Sequence, residues 1–131
     1  MNLPELRRVY ARQMLVLAAA SADQRLEDAF AAVPREKFLG DGAWRVMTPW
    51  SPYASVPGND PALIYQDLVV ALDEERGVNN GSPSLHARWM HLAAPRAGET
   101  VVHVGCGAGY YTAILAELVG VDGKVTAIEF D

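Results

Sequence analysis

Apolar residues recur with helical spacing over residues 1–40. The first set recurs every three or four positions and consists of Leu3, Leu6, Val9 and Tyr10. This spacing predicts an amphipathic helix that extends towards Leu17. The second set consists of Leu26, Ala29, Phe30 and Val33. It predicts a second helix that ends at Pro34, and Ser21 with Gln24 has the spacing of a capping box at its start. We therefore predict an N-terminal helical region over residues 1–40.

The pattern is irregular over residues 41–81, where prolines, glycines and aromatic residues interrupt it. The stretch "IYQDLVVAL" mixes the alternation typical of a strand with a run that is compatible with a helix. We predict irregular structure with short strands for this segment.

A regular pattern returns over residues 82–131. Ser82 is the expected N-cap of a helix whose first residue is Pro83. A short strand, "TVVHV", precedes a glycine-rich turn, a helix that Gly120 ends, and a second strand, "KVTAIEF". The residues expected on the inner face of that helix are Ile114, Leu115, Leu118 and Val119. A strand, helix and strand in this order predict parallel neighbouring strands, so we expect an α/β fold in which N-terminal helices precede the first β-α-β unit of a Rossmann-like sheet.

Composition and charge disfavour nucleic-acid binding and membrane association. The chain has 131 residues, of which 50% are hydrophobic, and a net charge of -5. These values are typical of one globular domain, and so few basic residues do not favour nucleic-acid binding. The apolar run from Met14 to Ala20 is shorter than the roughly 20 residues that cross a membrane, so we expect no membrane partner. Cys106 has no second cysteine with which to pair, which favours the cytoplasm.

Three glycines at alternate positions follow the first of the two strands. They are Gly105, Gly107 and Gly109, and Glu129 ends the second strand 24 positions after Gly105. Glycines at a strand end let a ligand approach the backbone, and an acidic residue roughly 20 positions later meets ribose hydroxyls in nucleotide sites. The pattern indicates an adenosine-containing cofactor. Tyr110 occupies the last place of the dinucleotide fingerprint, and this disfavours a nicotinamide-linked oxidoreductase.

Structural explanations exist for the same residues. The glycines could serve turn geometry alone, Glu129 could be a solvated charge, and Asp131 could contact the cofactor or simply end the chain. Cys106 is expected to fill the loop, because no partner base is evident. The histidines His86, His91 and His103 lack the spacing of a helical metal pair, and we predict no metal. His103 is expected to be a hydrogen-bonded histidine within the core.

Two stretches resemble a known family. "VGCGAGY" with "AIEFD" looks like the first motifs of S-adenosylmethionine-dependent methyltransferases. "DAFAAVPREKFLG" resembles the N-terminal signature of protein-L-isoaspartate (D-aspartate) O-methyltransferases, and "NNGSPSLHARWMHLAAPRAGETVVHVGCGAGYYTAILAELVGVDGKVTAIEFD" resembles that family from the substrate loop to the second strand.

The resemblance implies a carboxyl O-methyltransferase that acts on a peptide or protein, with S-adenosylmethionine as cofactor. The implied cofactor-binding residues are Gly105, Cys106, Gly107, Gly109, Tyr110 and Glu129. The implied acceptor site borders Gly81 and Ser82, and the segment 41–81 would lie on the substrate side of a cofactor-binding domain that starts at residue 82.

The sequence departs from the family pattern at two places. The family's substrate loop reads serine, any residue, proline, and Gly81 takes the place of that serine. Ser82 either replaces it or caps the helix. The segment before Gly81 is also longer than usual and resembles a branch that modifies ribosomally made peptides. Its aromatic residues would form a peptide groove or belong to the core, and they are Trp44, Trp50, Tyr53 and Tyr65.

The chain ends directly after the second strand, whereas the family continues. We therefore expect an unpaired edge on the "TVVHV" strand, which would pair with another copy or with the rest of a longer enzyme. A noncatalytic peptide-binding or assembly module with a vestigial cofactor loop is the alternative function.

Overall fold

The computed structural model describes residues 1–41 and 43–130, so Asp131 and its two predicted roles lie outside the described residues. The helices are α1 (Leu3–Leu17), α2 (Gln24–Ala32), α3 (Pro83–Ala93) and α4 (Tyr110–Val119). The strands are β1 (Arg45–Val46), β2 (Ala54–Ser55), β3 (Ala71–Asp73), β4 (Val78–Asn79), β5 (Thr100–Val104) and β6 (Lys124–Ile128). Among the described residues, no helix combines the length and apolarity that crossing a membrane requires.

The predicted start of α2 was wrong. Its N-cap is Asp23, whose Oδ1 accepts a hydrogen bond from the Leu26 amide at 3.2 Å. Ser21 lies in the turn between α1 and α2. Asp23 is one residue from the first helical position, and its negative charge also suits the positive end of the helix dipole. The helix therefore begins two residues later than a cap at Ser21 would place it.

The main core lies between the N-terminal helices and α4. Tyr10, Phe30 and Tyr110 are fully buried there, and the hydroxyl groups of Tyr10 and Tyr110 form a hydrogen bond of 3.0 Å. The four residues predicted on the inner face of α4 are all buried, as expected: Ile114, Leu115, Leu118 and Val119. The amphipathic helices thus fold back on the β-α-β unit rather than forming a bundle of their own.

Arg35 ties the middle segment to this core. Its side chain is fully buried, and its guanidinium group donates to the carbonyl oxygens of Ile64 at 2.7 Å, Gln66 at 3.1 Å and Leu68 at 2.5 Å. Ile64 ends a short 3₁₀-helix (Pro61–Ile64), and Gln66 and Leu68 follow it outside any strand. The arginine of the "VPREKF" stretch therefore has a structural role, since it satisfies backbone groups that would otherwise be buried without hydrogen bonds.

Residues 41–81 contain two small antiparallel pairs, β1 with β2 and β3 with β4. The four aromatic residues of this segment do not form one groove. Trp44 is buried in a second small core, Tyr65 is buried in the main core, and Trp50 is 92% exposed. Burial of two of the four leaves no common surface for a peptide. The division of the chain at residues 40 and 81 stays a prediction.

The C-terminal region has the predicted topology. Strands β5 and β6 are parallel, with Thr100 opposite Lys124 and Val104 opposite Ile128, and α4 connects them. This confirms the α/β fold class. One face of β5 remains exposed, with Val102 at 58% and Val104 at 74%. On α3, the apolar side chains of Leu85, Trp89 and Leu92 are also exposed, and the buried residues are Pro83, Ala87 and Met90.

Candidate functional site

The glycine loop (residues 105–109) joins β5 to α4 and lies at the carboxyl end of the parallel pair. The amides of Gly105 and Cys106 both donate to the carbonyl oxygen of Ile128, at 2.7 and 3.2 Å. The loop is thereby fastened to the end of β6. Because ligands of open α/β sheets bind at the carboxyl ends of the strands, this edge is the expected position of a cofactor.

The N-terminus of α4 has no side-chain cap. Its N-cap residue, Gly109, has φ of 93°, a conformation that strains any residue with a Cβ atom. The first amides of an α-helix have no partner within the helix, and the N-cap residue here is a glycine, which has no side chain to accept from them. The helix end therefore presents amide donors and a positive partial charge to the space above the loop.

Glu129 lies against the glycine loop. Its Oε2 accepts from the Gly107 amide at 2.5 Å, and its Oε1 accepts from the Phe130 amide at 3.1 Å. The side chain is otherwise exposed to solvent. A carboxylate has about four acceptor positions, so Glu129 retains capacity for the two hydroxyl groups of a ribose. The geometry fits an adenosine-containing cofactor.

A cavity of about 130 Å³ joins the glycine loop to the segment before α3, and we call it the loop cavity. Its lining includes Asn80, Gly81, His86, His103, Cys106 and Gly107. The structure therefore brings Gly81 to the same cavity as three of the predicted cofactor residues, Gly105, Cys106 and Gly107, which are distant in sequence. Tyr110 is different, because its side chain is in the main core and only its backbone is available to a ligand.

Gly81 is packed against the ring of His86. A Cβ atom added at Gly81 would lie 2.6 Å from Cε1 of His86, and Gly81 has φ of +71°. The imidazole stacks on Tyr111, with 3.7 Å between the ring centroids, and the Tyr111 hydroxyl donates to the Gly81 carbonyl oxygen at 3.2 Å. The imidazole ring therefore occupies the space that a side chain at position 81 would need.

The protonation of His86 follows from its contacts. Its Nδ1 lies 2.8 Å from the Ser82 carbonyl oxygen, which can only accept, so Nδ1 carries a hydrogen. Burial lowers the pKa of His86, partly opposed by this hydrogen bond. The neutral ring then has an acceptor at Nε2. From the sequence alone, His86 is considered only as a possible metal ligand. The sequence feature that indicates its contact with Gly81 is its position four residues after the helix cap Ser82, which puts the ring on the side of the helix that faces the residues before the cap.

Ser82 caps α3 as predicted. Its Oγ accepts from the Leu85 amide at 3.3 Å and lies 3.3 Å from Oδ1 of Asp67. The same aspartate accepts from the Ser84 amide at 3.0 Å and from the Ser84 hydroxyl at 2.6 Å. These contacts engage the Ser82 hydroxyl at the helix start, and Ser82 is not among the residues that line the loop cavity.

His103 and Cys106 complete the lining. Nδ1 of His103 lies 2.8 Å from the Thr112 hydroxyl, and burial lowers the pKa of His103 while the charge of Glu129 acts in the opposite direction. Cys106 is half-buried. Within residues 1–41 and 43–130, no group of three or more histidine, cysteine, aspartate or glutamate side chains is arranged to hold a metal ion.

Comparisons with known proteins agree with this geometry. The family model for protein-L-isoaspartate(D-aspartate) O-methyltransferase matches residues 13–131. A protein-L-isoaspartate O-methyltransferase from Aeropyrum pernix is 31% identical over 106 residues, which cover 81% of this chain and 34% of the relative. One from Thermotoga maritima is 28% identical over 117 residues, 88% of this chain and 32% of the relative.

A solved structure of a protein-L-isoaspartate O-methyltransferase superposes with a TM-score of 0.66 at 26% identity, over 93% of this chain and 34% of that one. The chain thus spans between about a third and just under half of the length of the relatives that it matches. Sequence and fold agree over almost all of its residues. The chain belongs to the protein-L-isoaspartate(D-aspartate) O-methyltransferase family.

Proposed function

We propose that this chain forms the cofactor-binding part of an S-adenosylmethionine-dependent O-methyltransferase that acts on a peptide or protein carboxylate. One observation carries the proposal: Glu129, directly after β6, accepts a hydrogen bond from the Gly107 amide in the glycine loop that follows β5. This places the acidic residue and the glycine loop at one sheet edge, as an adenosine-containing ligand requires. The names of the relatives support the reaction.

Each predicted cofactor residue then has a role. Gly105, Gly107 and Gly109 let the ligand approach the backbone, and the uncapped amides at the start of α4 donate to its polar amino-acid end. Cys106 contributes from the same loop, and Tyr110 contributes through its backbone at the start of α4. Glu129 accepts from the ribose hydroxyl groups. When bound, S-adenosylmethionine supplies a methyl group on a sulfonium centre.

The acceptor would enter through the loop cavity. A peptide carboxylate has a pKa of about 3.3 to 4.3 and is already ionised at neutral pH, so no base has to remove a proton. With S-adenosylmethionine bound, a carboxylate oxygen would take up its methyl group, and the sulfur would leave with its bonding electron pair as S-adenosylhomocysteine. The protein's task is to align these atoms and to exclude water. Residues around Gly81 are placed to do this, although Gly81 itself offers no side-chain donor.

Methyl transfer is tested with isotopically labelled S-adenosylmethionine and a synthetic peptide that contains one isoaspartyl residue. The proposal predicts that label enters the peptide as a base-labile methyl ester and that the matched aspartyl peptide acquires less. A peptide series with free glutamate and aspartate side chains tests the branch that modifies ribosomally made peptides. If the folded chain binds the cofactor but methylates no peptide, the catalytic proposal fails for this chain.

A noncatalytic peptide-binding or assembly module is the second candidate. The observation that favours it is the contact between Gly81 and His86, which leaves no room for the family's serine. Cofactor binding without methyl transfer, together with peptide binding, would support this candidate.

We further propose a cytoplasmic location, because the sequence has a single cysteine.

We also propose that the exposed edge of β5 pairs with a further strand, from another copy or from a longer chain, because folded proteins leave few strand edges unpaired. Sedimentation at several protein concentrations tests self-association. A monomer at all concentrations would exclude a second copy as the partner.

A further inference from the structure

We infer that Asn80 binds the acceptor carboxylate, in place of the serine that the family pattern expects at Gly81. The inference rests on the proposed function and identifies the polar group that this chain offers to its acceptor. A carboxylate that enters a cavity of about 130 Å³ loses hydrogen bonds to water and needs hydrogen-bond donors from the protein in exchange.

The expected donor cannot be at position 81. Gly81 has no side chain, and the ring of His86 fills the space that one would occupy. Ser82 is no substitute, because its hydroxyl faces the start of α3 and Asp67. The neutral ring of His86 donates its Nδ1 hydrogen to the Ser82 carbonyl oxygen and has only an acceptor at Nε2. None of these three residues offers a side-chain donor to the carboxylate.

Asn80 offers the missing hydrogen-bond donor. It lines the loop cavity, and the residue as a whole is 7% exposed. Within the described part of the chain, its Nδ2 atom is buried without a hydrogen-bond partner. A buried amide donor without a partner is costly for a folded protein, and such groups are rare unless a ligand or water satisfies them. A carboxylate oxygen in the cavity would satisfy it.

The backbone holds Asn80 in this place. Its amide donates to the Val70 carbonyl oxygen at 2.8 Å, which continues the pairing of β3 and β4 beyond the last strand residue. The neighbouring Asn79 accepts from the Gly81 amide through Oδ1 at 2.9 Å and so fixes the turn into α3. Asn80 is thus a rigidly placed group next to the glycine loop rather than a surface residue.

Asn80→Leu tests the inference, because leucine has a similar shape but no polar group. We expect two opposite effects: the free energy of unfolding stays the same or rises, since a buried unpaired donor is removed, and binding of the isoaspartyl peptide weakens by about 10- to 100-fold. Gln66→Leu is the control, because it also replaces a side-chain amide by leucine, but at an exposed position outside the cavity. It should leave peptide affinity unchanged.

Peptide binding is measured on the 131-residue chain saturated with S-adenosylhomocysteine, the demethylated product of the cofactor. A second peptide has a carboxamide in place of the acceptor carboxylate. The wild-type chain should prefer the carboxylate peptide, and Asn80→Leu should lose most of that preference, which a purely structural role would not alter.

The outcomes separate the two claims. If the wild-type chain binds neither S-adenosylhomocysteine nor peptide, the proposed function falls and the inference with it. Two other results would overturn the inference while the cofactor proposal stands. In the first, the wild-type chain binds S-adenosylhomocysteine but no peptide. In the second, Asn80→Leu leaves the affinity for both peptides unchanged.

Discussion

A Cβ atom at Gly81 would lie 2.6 Å from Cε1 of His86, so the imidazole ring and a side chain at position 81 exclude each other. This contact couples the residue that precedes the cap of α3 to a residue in the first turn of that helix. The ring is stabilised by stacking on Tyr111 and by the hydrogen bond to the Ser82 carbonyl oxygen. Position 81 and position 86 must therefore be considered as one unit.

The first prediction concerns this exclusion. Gly81→Ala should lower the free energy of unfolding through both the positive φ angle, about 1 to 2 kcal/mol, and overpacking, about 1 to 3 kcal/mol. Gly77→Ala is the matched control, because Gly77 has φ of +68° and no atom within 4 Å of an added Cβ. Urea denaturation should show a larger loss for Gly81→Ala, and the excess should shrink in a His86→Ala background. Equal losses at the two positions would contradict the contact.

The second prediction concerns pH. Because burial lowers the pKa of His86 below its ordinary value of 6.5, the unfolded chain binds more protons than the folded chain just below that value. The free energy of unfolding should therefore fall as pH drops from about 7 through the folded pKa. His86→Phe keeps a ring against Tyr111 but cannot be protonated, so its stability should depend less on pH. Some dependence should remain, because burial also lowers the pKa of His103. Parallel stability curves for the two proteins would refute the role of His86.

The third prediction concerns Arg35. Arg35→Lys keeps the positive charge but cannot donate to three carbonyl groups in the same geometry. Because those groups would be left buried without partners, we expect a loss of at least about 2 kcal/mol in the free energy of unfolding. Arg96→Lys, at an exposed position, should change it by no more than about 0.5 kcal/mol. Similar small effects at both positions, measured by chemical denaturation, would show that Arg35 is not needed to order residues 64–68.

The fourth prediction concerns the buried pair of hydroxyl groups. Tyr10→Phe or Tyr110→Phe removes one partner of the 3.0 Å hydrogen bond and leaves the other hydroxyl buried, at a cost of about 1 to 3 kcal/mol. The double variant removes both groups, so its loss should be clearly smaller than the sum of the single losses. Additive losses in a double-mutant cycle would mean that the two hydroxyl groups do not depend on each other.

The β-α-β unit could be predicted from sequence because its signals are local. Apolar strand residues, a glycine turn and a helical period specify β5, α4 and β6 without any distant contact. The start of α2 was harder, because Ser21 and Asp23 are both good caps and only the turn after α1 selects between them. Local preference did not rank these two alternatives.

The candidate site was less predictable, because its important contacts join distant residues. The glycine loop and Glu129 followed from the strand order, but the stacking of His86 on Tyr111 depends on side-chain packing between α3 and α4. Nothing in the local sequence marks Asn80 as buried, since asparagine in a turn is ordinarily exposed. Likewise, Trp44 and Tyr65 belong to two different cores, a separation that spacing alone cannot show.

The measurement that tests the central claim most directly is calorimetric titration of the 131-residue chain with S-adenosylhomocysteine. Glu117→Gln removes an exposed carboxylate on α4 and serves as the control. The wild-type chain and this variant should bind S-adenosylhomocysteine equally. Glu129→Gln should bind it about 10- to 100-fold more weakly, because a charged acceptor for the ribose is lost. Equal affinity of all three proteins, or no binding to a folded wild-type chain, would contradict a cofactor site formed by the glycine loop and Glu129.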